Sequence, residues 1–458
     1  MAGLSRRQFL KTSLVAAAAV GVTHRTWAQA APAITSTKSP NGKINTACIA
    51  VGGRGGAHVG PAAGENLIAI CDVDQNALNR CKNGRPNVET FTDYRKMFDK
   101  VGKDLNAVFI ATPDHTHAAA SMLALQAGIA CYTEKPLTWS VAEARLLAET
   151  AAKKKVATQM GNMGHANQGN RKIVEWIRDG AIGEVVEVHS WTNRPVWAQG
   201  ITERPATKPV PQHLDWDNWI GPAPFRDYHD GLHGFSWRGY LDFGCGAIGD
   251  MGCHTWDNVF WSMQPDYPES VELLRIEGSG GKETFAKQTK FRWVFPAKGA
   301  RKGFSAYWYS GGLKPDTPEE LVAEKRGLPG TGNLYIGTKG KLMVQGDYGD
   351  SPRLIPEKFM QEYAESTKGK ESPNKIEPSP GHWTEFLMAA KGEKPWNFPK
   401  SNFAEYAGPL TEVMLLGCIS EKIGKIGFKI ECDPVKREIK TKEALALASR
   451  EYRKGWSL

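Results

Sequence analysis

Short apolar runs alternate with amphipathic segments over the first third of the chain. The strand-like runs are Ile44–Val51, Leu67–Asp72, Leu105–Ala111, Ile129–Thr133 and Val156–Met160. Helical spacing of apolar residues occupies Ala118–Ala127 and Val141–Lys153. Strands that alternate with helices in this way form a doubly wound parallel sheet with helices on both faces. We therefore expect residues 44–160 to form an α/β domain of this kind.

The pattern changes after residue 160, where strand-like runs outnumber helices. Arg171–Asp179 is predicted to be an amphipathic helix that stops at Gly180. The strand-like runs that follow are Val185–Trp191, Val271–Glu277, Thr289–Phe295, Phe304–Tyr309, Leu334–Gly337 and Lys341–Gln345. These runs predict an open, mostly antiparallel sheet in a C-terminal α/β domain, residues 161–458. We expect this domain to bind the substrate and to mediate oligomerisation.

Three further segments complete the predicted C-terminal domain. Pro352–Pro380 is charged and rich in Pro and Lys, so it is expected to be irregular. Trp383–Lys391 and Phe403–Ile423 are predicted helices. We expect these helices to pack back on the first domain.

The N-terminus has the features of an export signal. Ser5-Arg6-Arg7-Gln8-Phe9-Leu10-Lys11 precedes the apolar run Leu14–Val22, and Ala28-Gln29-Ala30 is a small-residue cleavage site. The apolar run is too short to span a bilayer. We therefore predict a twin-arginine signal over residues 1–30, a linker over 31–43 and a protein that is exported folded to the periplasm or beyond, without a stable membrane anchor.

Charge and cysteine spacing exclude several other classes of protein. The formal net charge of +9 falls to +5 when residues 1–30 are removed, because that segment holds four basic residues and no acidic one. No lysine run or nucleic-acid motif is present, so no nucleic-acid partner is expected. The eight cysteines form no C-x-x-C pair and no zinc-site spacing. No metal is therefore expected, although an oxidising compartment could join a pair of these cysteines.

A glycine-rich turn and a carboxylate follow the first two predicted strands. The turn consists of Gly52, Gly53, Arg54 and Gly55, with Ala50 where the first glycine of G-x-G-x-x-G would stand. Glycines at this place let backbone amides approach a pyrophosphate at a helix N-terminus. Asp72 ends the second strand twenty positions after Gly52, which is the spacing of a carboxylate that binds the adenosine ribose and repels a 2′-phosphate. The sequence therefore predicts NAD as the cofactor, with NADP less favoured.

Two more loops leave the carboxyl ends of predicted parallel strands, where ligands bind in open α/β sheets. The first carries Thr112, Pro113 and His117, and the second carries Glu134 and Lys135. All five are predicted to line the cofactor site. A lysine cation beside a developing alkoxide or ketone stabilises charge during hydride transfer. For His117, helix capping or core packing is an equally good interpretation.

A second group of chemically active residues follows Gly249. Asp250 and His254 are i and i+4 neighbours on a predicted helix, and Asp257 lies about one turn further along that helix. The Asp250 carboxylate can orient the imidazole, or the two side chains can meet at one substrate hydroxyl. An Asp/His pair also occurs at zinc sites, but no third and fourth ligand stand nearby. Helix capping is the structural alternative.

Aromatic and guanidinium groups between the predicted strands are candidate substrate contacts. Arg194, Trp197, Trp237 and Arg238 supply ring faces and hydrogen-bond donors that suit a sugar ring. Asp257 is a further candidate for binding the substrate. Packing in the core is the alternative for any single tryptophan, and surface ion pairing is the alternative for the two arginines.

Together these motifs resemble the Gfo/Idh/MocA family of oxidoreductases, in the exported form that carries a twin-arginine leader. The glycine turn, Asp72, Thr112–His117, Glu134-Lys135-Pro136 and Gly249–His254 fall in the family order. The resemblance implies an N-terminal Rossmann domain, a C-terminal α/β domain with an open sheet, and oxidation or reduction of a sugar or cyclitol hydroxyl. It also implies that Lys135, Asp250 and His254 are catalytic: His254 accepts the hydroxyl proton, Lys135 holds the oxygen and Asp250 orients the pair.

The resemblance leaves three functions open. The first is hydride transfer between a nicotinamide cofactor and a hydroxyl of a sugar, glycoside, sugar acid or cyclitol. The second is an NAD-dependent glycoside hydrolase or lyase that works by transient oxidation and elimination. The third is a non-catalytic sugar- or nucleotide-binding protein. In each case we expect a small carbohydrate ligand and a homo-oligomer, either a dimer or a tetramer.

Overall fold

The structure is a computed structural model that describes residues 42–458. The predicted export signal lies outside these residues. Two sheets organise the described chain, one of six strands and one of nine. Together they confirm the predicted α/β fold, a doubly wound parallel sheet followed by an α/β unit with an open sheet.

The first sheet is entirely parallel, with strand order β3-β2-β1-β4-β5-β6. Its strands are β1 (Asn45–Ile49), β2 (Asn66–Cys71), β3 (Glu89–Phe91), β4 (Ala107–Ile110), β5 (Ala130–Thr133) and β6 (Thr158–Met160). This order is that of a Rossmann fold, in which a ligand lies outside the carboxyl ends of the strands at the β1/β4 switch point. The short β3 has no apolar pattern of its own, and the sequence did not predict it.

Five helices flank this sheet: α1 (Gly56–Gly64), α2 (Gln75–Lys82), α3 (Tyr94–Val101), α4 (Asp114–Ala127) and α5 (Val141–Lys154). The α5 helix starts at a capping box, in which Ser140 and Glu143 satisfy each other's backbone amides. The α4 helix begins four residues before the predicted start at Ala118, so the loop after β4 is correspondingly shorter. Asp114 stands in its first turn, where a carboxylate stabilises the helix dipole.

The second sheet has the order β13-β12-β11-β7-β10-β9-β8-β14-β15. Its strands are β7 (Val185–Trp191), β8 (Ser270–Glu277), β9 (Gln288–Phe295), β10 (Phe304–Tyr309), β11 (Gly332–Gly337), β12 (Lys341–Gln345), β13 (Asp350–Ile355), β14 (Lys429–Asp433) and β15 (Glu438–Ile439). The β7–β10 pair is parallel and the other pairs described in this sheet are antiparallel. The prediction of a mostly antiparallel sheet is therefore confirmed.

The helices of the C-terminal part are α6 (Gln168–Arg178), α7 (Trp216–Ile220), α8 (Gly246–Thr255), α9 (Asp257–Met263), α10 (Glu319–Ala323), α11 (Glu357–Thr367), α12 (His382–Ala390), α13 (Gly408–Ile423) and α14 (Lys442–Leu445). The prediction of an irregular segment over 352–380 was wrong in part, because β13 and α11 occupy much of it. No residue of α11 is fully buried, so its charged positions form a solvated helix face. This composition had been interpreted as a loop.

The α13 helix joins the two parts of the molecule. It packs against α5 beside the first sheet and against α8 of the C-terminal part. Glu412 on α13 is buried and pairs with Arg145 of α5, with Nη2 to Oε2 at 2.6 Å, and with Arg437, with Nη2 to Oε1 at 2.9 Å. The α8 helix, which carries Asp250 and His254, is therefore held against the nucleotide-binding part through a buried helix.

Two other properties bear on the predictions. The eight cysteines all lie in the described part of the chain and are buried free thiols. Within residues 42–458, no helix combines the length and the apolar character that crossing a bilayer requires.

Candidate active site

The glycine turn follows β1 directly and leads through a short 3₁₀ turn, Gly53–Gly55, into α1. A Cβ on Gly55 would lie 2.1 Å from the carbonyl oxygen of Ala50, so only glycine fits there. Ala50 itself has φ +64, in the left-handed region that glycine adopts without strain. The alanine therefore keeps the turn geometry at a conformational cost.

Asp72 fixes the glycine turn from the end of β2. Its Oδ2 accepts hydrogen bonds from the amides of Val51 at 2.8 Å and Gly52 at 3.1 Å, and its Oδ1 accepts from the amide of Asp74 at 2.9 Å. A carboxylate has about four lone-pair sites. Burial raises the pKa of Asp72 and these three bonds oppose the rise. One site therefore remains for a ribose hydroxyl beside the cavity described next.

A cavity of about 310 Å³ opens at the β1/β4 edge of the first sheet. Of the predicted cofactor residues, those in its wall are Gly52, Gly53, Arg54, Asp72, Thr112 and Pro113. Gly55 is buried behind the turn, in contact with Ala50. The structure therefore brings these six predicted cofactor residues together around one cavity.

Residues from the C-terminal part close this cavity, and no local pattern in the sequence predicts them. They include Asn218, Trp219, His233, Gly234 and Trp456. The closing segment is pinned to the first domain by backbone bonds from Gln75 N to His213 O at 2.8 Å and from Asp215 N to Val73 O at 2.9 Å. These contacts join residues about 140 positions apart, which local patterning does not report.

Glu134 lies behind the glycine turn and forms an ion pair with Arg54 of that turn. Its Oε1 accepts from Arg54 Nε at 2.8 Å and contacts His58 Nε2 at 3.0 Å. Trp383 Nε1 donates to the other ring nitrogen of His58 at 3.0 Å. Burial opposes ionisation, but His58 and Arg54 lower the pKa of Glu134 well below its usual range. Glu134 therefore acts on the cofactor loop through Arg54 and is not itself in the cavity wall.

His117 was also predicted to contact the cofactor, and the structure contradicts this. Its Nδ1 lies 2.7 Å from the carbonyl oxygen of Pro136, and its Nε2 lies 2.7 Å from that of Thr112. The side chain is buried and is absent from the cavity wall. His117 therefore lies between the two strand-end loops and outside the cavity wall, with a backbone carbonyl beside each ring nitrogen.

Lys135, Asp250 and Arg238 form a cluster beside the cavity; of the three, Arg238 is in the cavity wall and Lys135, which was predicted to line the cofactor site, is not. Lys135 Nζ donates to Asp250 Oδ1 at 2.7 Å and to the Asp250 carbonyl at 3.0 Å. Arg238, in the cavity wall, donates from Nε to the same Oδ1 at 3.1 Å. Burial lowers the pKa of Lys135, but the Asp250 carboxylate raises it above the usual value. Burial opposes ionisation of Asp250, yet Lys135 and Arg238 lower its pKa to about 2.

His254 lies one helical turn after Asp250 on α8. It is buried, and its Nδ1 has no hydrogen-bond partner among the described residues. Burial and the positive charge of Lys135 lower its pKa to about 3. The ring is therefore neutral at physiological pH, and its Nδ1 is unpartnered within the described residues. Of the three residues predicted to be catalytic, Lys135 and Asp250 are in contact, and His254 lies close enough for both charges to affect its pKa.

Asp114 is an additional buried carboxyl beside this cluster. Its Oδ2 accepts from the amide of Cys245, which precedes α8, at 3.0 Å. Burial raises its pKa to about 7, with Lys135 and Arg238 opposing. Asp114 therefore ties the start of α4 to the start of the helix that carries Asp250.

The residues predicted to bind substrate fall in different places. Trp237 and Arg238 are in the wall of the nucleotide cavity, and the Arg238 guanidinium lies 4.4 Å from the Trp237 ring centroid. Trp197 packs edge-on against Phe235, with ring centroids 6.0 Å apart. Arg194 pairs with Asp347, with Nη2 to Oδ2 at 3.5 Å. Neither Trp197 nor Arg194 is in the wall of this cavity.

Asp257 is placed differently from its prediction. Its carboxylate is buried and accepts from Asn162 Nδ2 at 2.8 Å, His165 Nδ1 at 2.9 Å and the Tyr406 hydroxyl at 2.8 Å. This network holds α9 against the segment after β6. The prediction that Asp257 binds substrate is therefore corrected, because its oxygens are enclosed by protein partners.

Comparison with known proteins identifies the family. Residues 44–162 match the model of an oxidoreductase family with an NAD-binding Rossmann fold, and residues 171–286 match the C-terminal α/β domain of the same family. The two matches together span about half of the chain. The chain belongs to the Gfo/Idh/MocA oxidoreductase family. Residues 3–23 match the signal sequence of the twin-arginine pathway.

Three individual proteins share between 14% and 27% of their aligned residues with this chain. A glycosyl hydrolase family 109 protein of Shewanella putrefaciens is 27% identical over 212 residues, which are 41% of this chain and 45% of that protein. The match thus spans less than half the length of this curated relative. The WlbA dehydrogenase from Bordetella pertussis is 17% identical, with a TM-score of 0.56 over 85% of this chain and 99% of that one.

A second solved structure of the same fold is the aldose-aldose oxidoreductase from Caulobacter crescentus. It is 14% identical, with a TM-score of 0.53 over 85% of this chain and 99% of that one. At these identities the likeness shows the fold.

The cavity fits the NAD that binds the Rossmann domain of this family. Thr112 Oγ1 is buried in its wall without a hydrogen-bond partner among the described residues. The glycine turn leaves open space beside Gly53, where a side chain would otherwise stand. Gly52, Gly53, Arg54 and Asp72 are the residues that would hold the dinucleotide. Within residues 42–458, no cluster of three or more His, Cys, Asp or Glu side chains is arranged for a metal ion.

Proposed function

We propose that this protein is an NAD-dependent oxidoreductase acting on a hydroxyl-bearing carbon of a carbohydrate: a sugar, glycoside, sugar acid or cyclitol. The observation that carries the proposal is the cluster beside the nucleotide cavity. There Lys135 is held 2.7 Å from Asp250, and His254 stands one turn further along the same helix. An ammonium, a fixed carboxylate and a neutral imidazole are the groups that oxidation of an alcohol needs.

Each side chain of the cluster has a separate role in the proposed reaction. Bound NAD supplies the hydride acceptor. The Lys135 ammonium stays charged because Asp250 raises its pKa, so it can hold the substrate oxygen as negative charge develops. The neutral His254 imidazole takes the hydroxyl proton. Asp250 fixes the position of Lys135, and in the reductive direction His254 returns the proton.

The relatives support a carbohydrate substrate. The WlbA structure of similar fold contains NADH and UDP-GlcNAcA, and the Caulobacter oxidoreductase is named for aldoses. We propose a carbohydrate substrate for the present chain as well, because two side chains that suit a sugar ring lie near the Lys135–Asp250 pair. Arg238 donates to Asp250, and its guanidinium lies over the Trp237 ring. The twin-arginine signal supports export of the folded protein with its nucleotide to the periplasm. We also propose that the protein acts as a homo-oligomer.

The test combines nucleotide analysis with turnover. Purified protein is denatured and the released nucleotide is identified by mass spectrometry; absorbance at the nicotinamide band is then followed while a panel of aldoses, glycosides, sugar acids and cyclitols is added. We expect NAD to be released and one carbohydrate class to reduce it. Lys135→Met is expected to retain NAD and lose turnover, whereas the exposed Lys153→Met is the matched control and stays active. Full turnover by Lys135→Met would refute the assigned role.

A second candidate is an NAD-dependent glycoside hydrolase that oxidises and eliminates transiently. The observation that favours it is the match to proteins named glycosyl hydrolase family 109. Release of an aglycone without net NADH formation would support this candidate, and stoichiometric NADH would support the dehydrogenase. A protein that retains NAD and stays silent in both assays would instead be a non-catalytic binder.

A further inference from the structure

The β12–β13 hairpin brings an aromatic side chain onto the imidazole of His254. The hairpin tip is Gly346–Gly349, and Tyr348 at this tip packs edge-on against His254, with ring centroids 4.9 Å apart and an interplanar angle of 75°. His254 is 8% exposed, whereas Tyr348 is 41% exposed. The contact with His254 therefore covers part of the Tyr348 side chain, and the rest of that side chain is exposed to solvent. The family-model match ends at residue 286, well before this hairpin.

The hairpin tip is held in place by close contacts. A Cβ on Gly164 would lie 3.0 Å from Tyr348 Cα and Cβ, so the backbones of these segments touch. Asn167 Nδ2 donates to the Tyr348 carbonyl at 3.3 Å. Gly349, at φ +75, packs so tightly on Asn170 that any side chain would collide with it. The exposed ring is therefore carried by an anchored backbone.

Charged groups lie near Tyr348. The preceding residue, Asp347, pairs with Arg194, with Oδ2 to Nη2 at 3.5 Å, and both side chains are partly exposed. The glycine turn also lies near Tyr348. Burial lowers the pKa of Arg54, whereas Glu134 raises it. Tyr348 is close enough to Arg54 to raise this pKa further. Tyr348 thus contacts the His254 imidazole, directly follows one member of an exposed ion pair and lies near Arg54 of the glycine turn.

We propose that Tyr348 is a specificity-determining residue: the aromatic platform on which the ring of a pyranose or pyranoside stacks, with the Arg194–Asp347 pair binding its hydroxyls. This inference rests on the proposed function and narrows its substrate to ring-form sugars. The C–H face of a pyranose is apolar, and a fixed, half-exposed aromatic ring beside polar groups suits it. An open-chain polyol has no such face and gains nothing from the platform.

The test compares Tyr348→Ala, Tyr348→Leu and Tyr348→Phe with the wild-type holoenzyme. The probes are methyl α-D-glucopyranoside, methyl β-D-glucopyranoside, D-glucose, D-galactose and the polyol sorbitol. We expect the Ala and Leu variants to raise KM for the accepted pyranose about tenfold with kcat changed less than threefold. The Phe variant should keep the wild-type KM. NAD content and the melting temperature should stay unchanged, and Phe225→Ala, an exposed aromatic outside the cavity wall, is the control.

The outcomes separate this inference from the proposed function. Wild-type protein that reduces NAD with a pyranoside, together with a Leu variant of unchanged KM, overturns the platform alone. Equal or better turnover of sorbitol by the wild type also overturns it. Wild-type protein that turns over no carbohydrate overturns the proposed function itself. The Leu variant keeps the test decisive if the Ala variant fails to fold, because it preserves apolar volume without an aromatic face.

Discussion

Lys135 Nζ lies 2.7 Å from Asp250 Oδ1, so an ion pair joins the end of strand β5 in the parallel sheet to helix α8 of the C-terminal part. The two residues are 115 positions apart in the chain. Both side chains are largely buried, and Arg238 shares the same carboxylate oxygen. The charge of Lys135 and one of the contacts between the two parts of the molecule therefore depend on this ion pair.

Asp250→Asn should lower turnover and move the basic limb of the pH–rate profile to lower pH. The carboxylate raises the pKa of Lys135, so its loss lets burial and Arg238 lower that pKa and the lysine loses its proton at lower pH. A lysine that is no longer fixed costs about 100-fold in kcat. The measurement is kcat against pH for both proteins. The exposed Asp227→Asn is the control, and an unshifted basic limb in Asp250→Asn would contradict the pairing.

Gly55→Ala should abolish tight NAD binding. Its Cβ would stand 2.1 Å from the Ala50 carbonyl oxygen, so β1 and the turn must move apart. We expect a loss of about 100-fold in affinity, about 2.7 kcal/mol, measured by calorimetry on protein freed of nucleotide. Gly60→Ala on the exposed face of α1 meets nothing within 4 Å and should leave binding intact. Equal affinities of the two variants would show that the turn does not form the cradle.

Glu134→Gln should weaken NAD binding by about tenfold, or about 1.4 kcal/mol. The substitution removes the charge that holds Arg54 at 2.8 Å and His58 at 3.0 Å, so the guanidinium beside the cavity is no longer fixed. The check is a nucleotide titration monitored by tryptophan fluorescence. Glu149→Gln, exposed on α5, provides the matched comparison. If Glu134→Gln binds NAD as tightly as Glu149→Gln does, the position of Arg54 does not depend on the Glu134 charge.

His382 should give the protein a measurable acid sensitivity. Burial lowers its pKa to about 4, against about 6.5 in an unfolded chain, so between these values the unfolded state binds more protons. Its contribution to stability is therefore present above pH 6.5 and is lost progressively as the pH falls toward 4. From pH 7.5 to 5 the stability of the wild type relative to His382→Gln should fall by about 2 kcal/mol. Denaturant unfolding at both pH values measures this difference, and a constant difference would refute it.

The cofactor half of the site could be predicted from the sequence for a geometric reason. The carboxyl ends of parallel strands meet at one edge of a sheet, so Gly52, Asp72 and Thr112 converge on one cavity once the strands are recognised. Lys135 follows the neighbouring strand β5 at the same edge. Helical spacing likewise placed Asp250 and His254 on neighbouring turns. These inferences need only local periodicity and the order of the strands.

The same reasoning failed where burial depends on distant partners. His117 and Asp257 have residue types that suit a ligand site, but carbonyls and side chains from elsewhere in the chain occupy their polar atoms. Charge in 352–380 indicated a loop, although a solvated helix face has the same composition. Residue type alone does not distinguish a ligand contact from a satisfied buried group.

The sequence by itself determined the alternation of strands and helices, the glycine turn, the export signal and which ionisable side chains follow the strands. Each of these features depends on residues that are close together in the chain. Only the tertiary structure decided that Trp456 and His233 close the cavity, that Glu134 acts through Arg54, and that Tyr348 stands over His254. Such contacts form when segments more than 75 residues apart pack together. Their partners are set by the shape of the whole core, which no local pattern encodes.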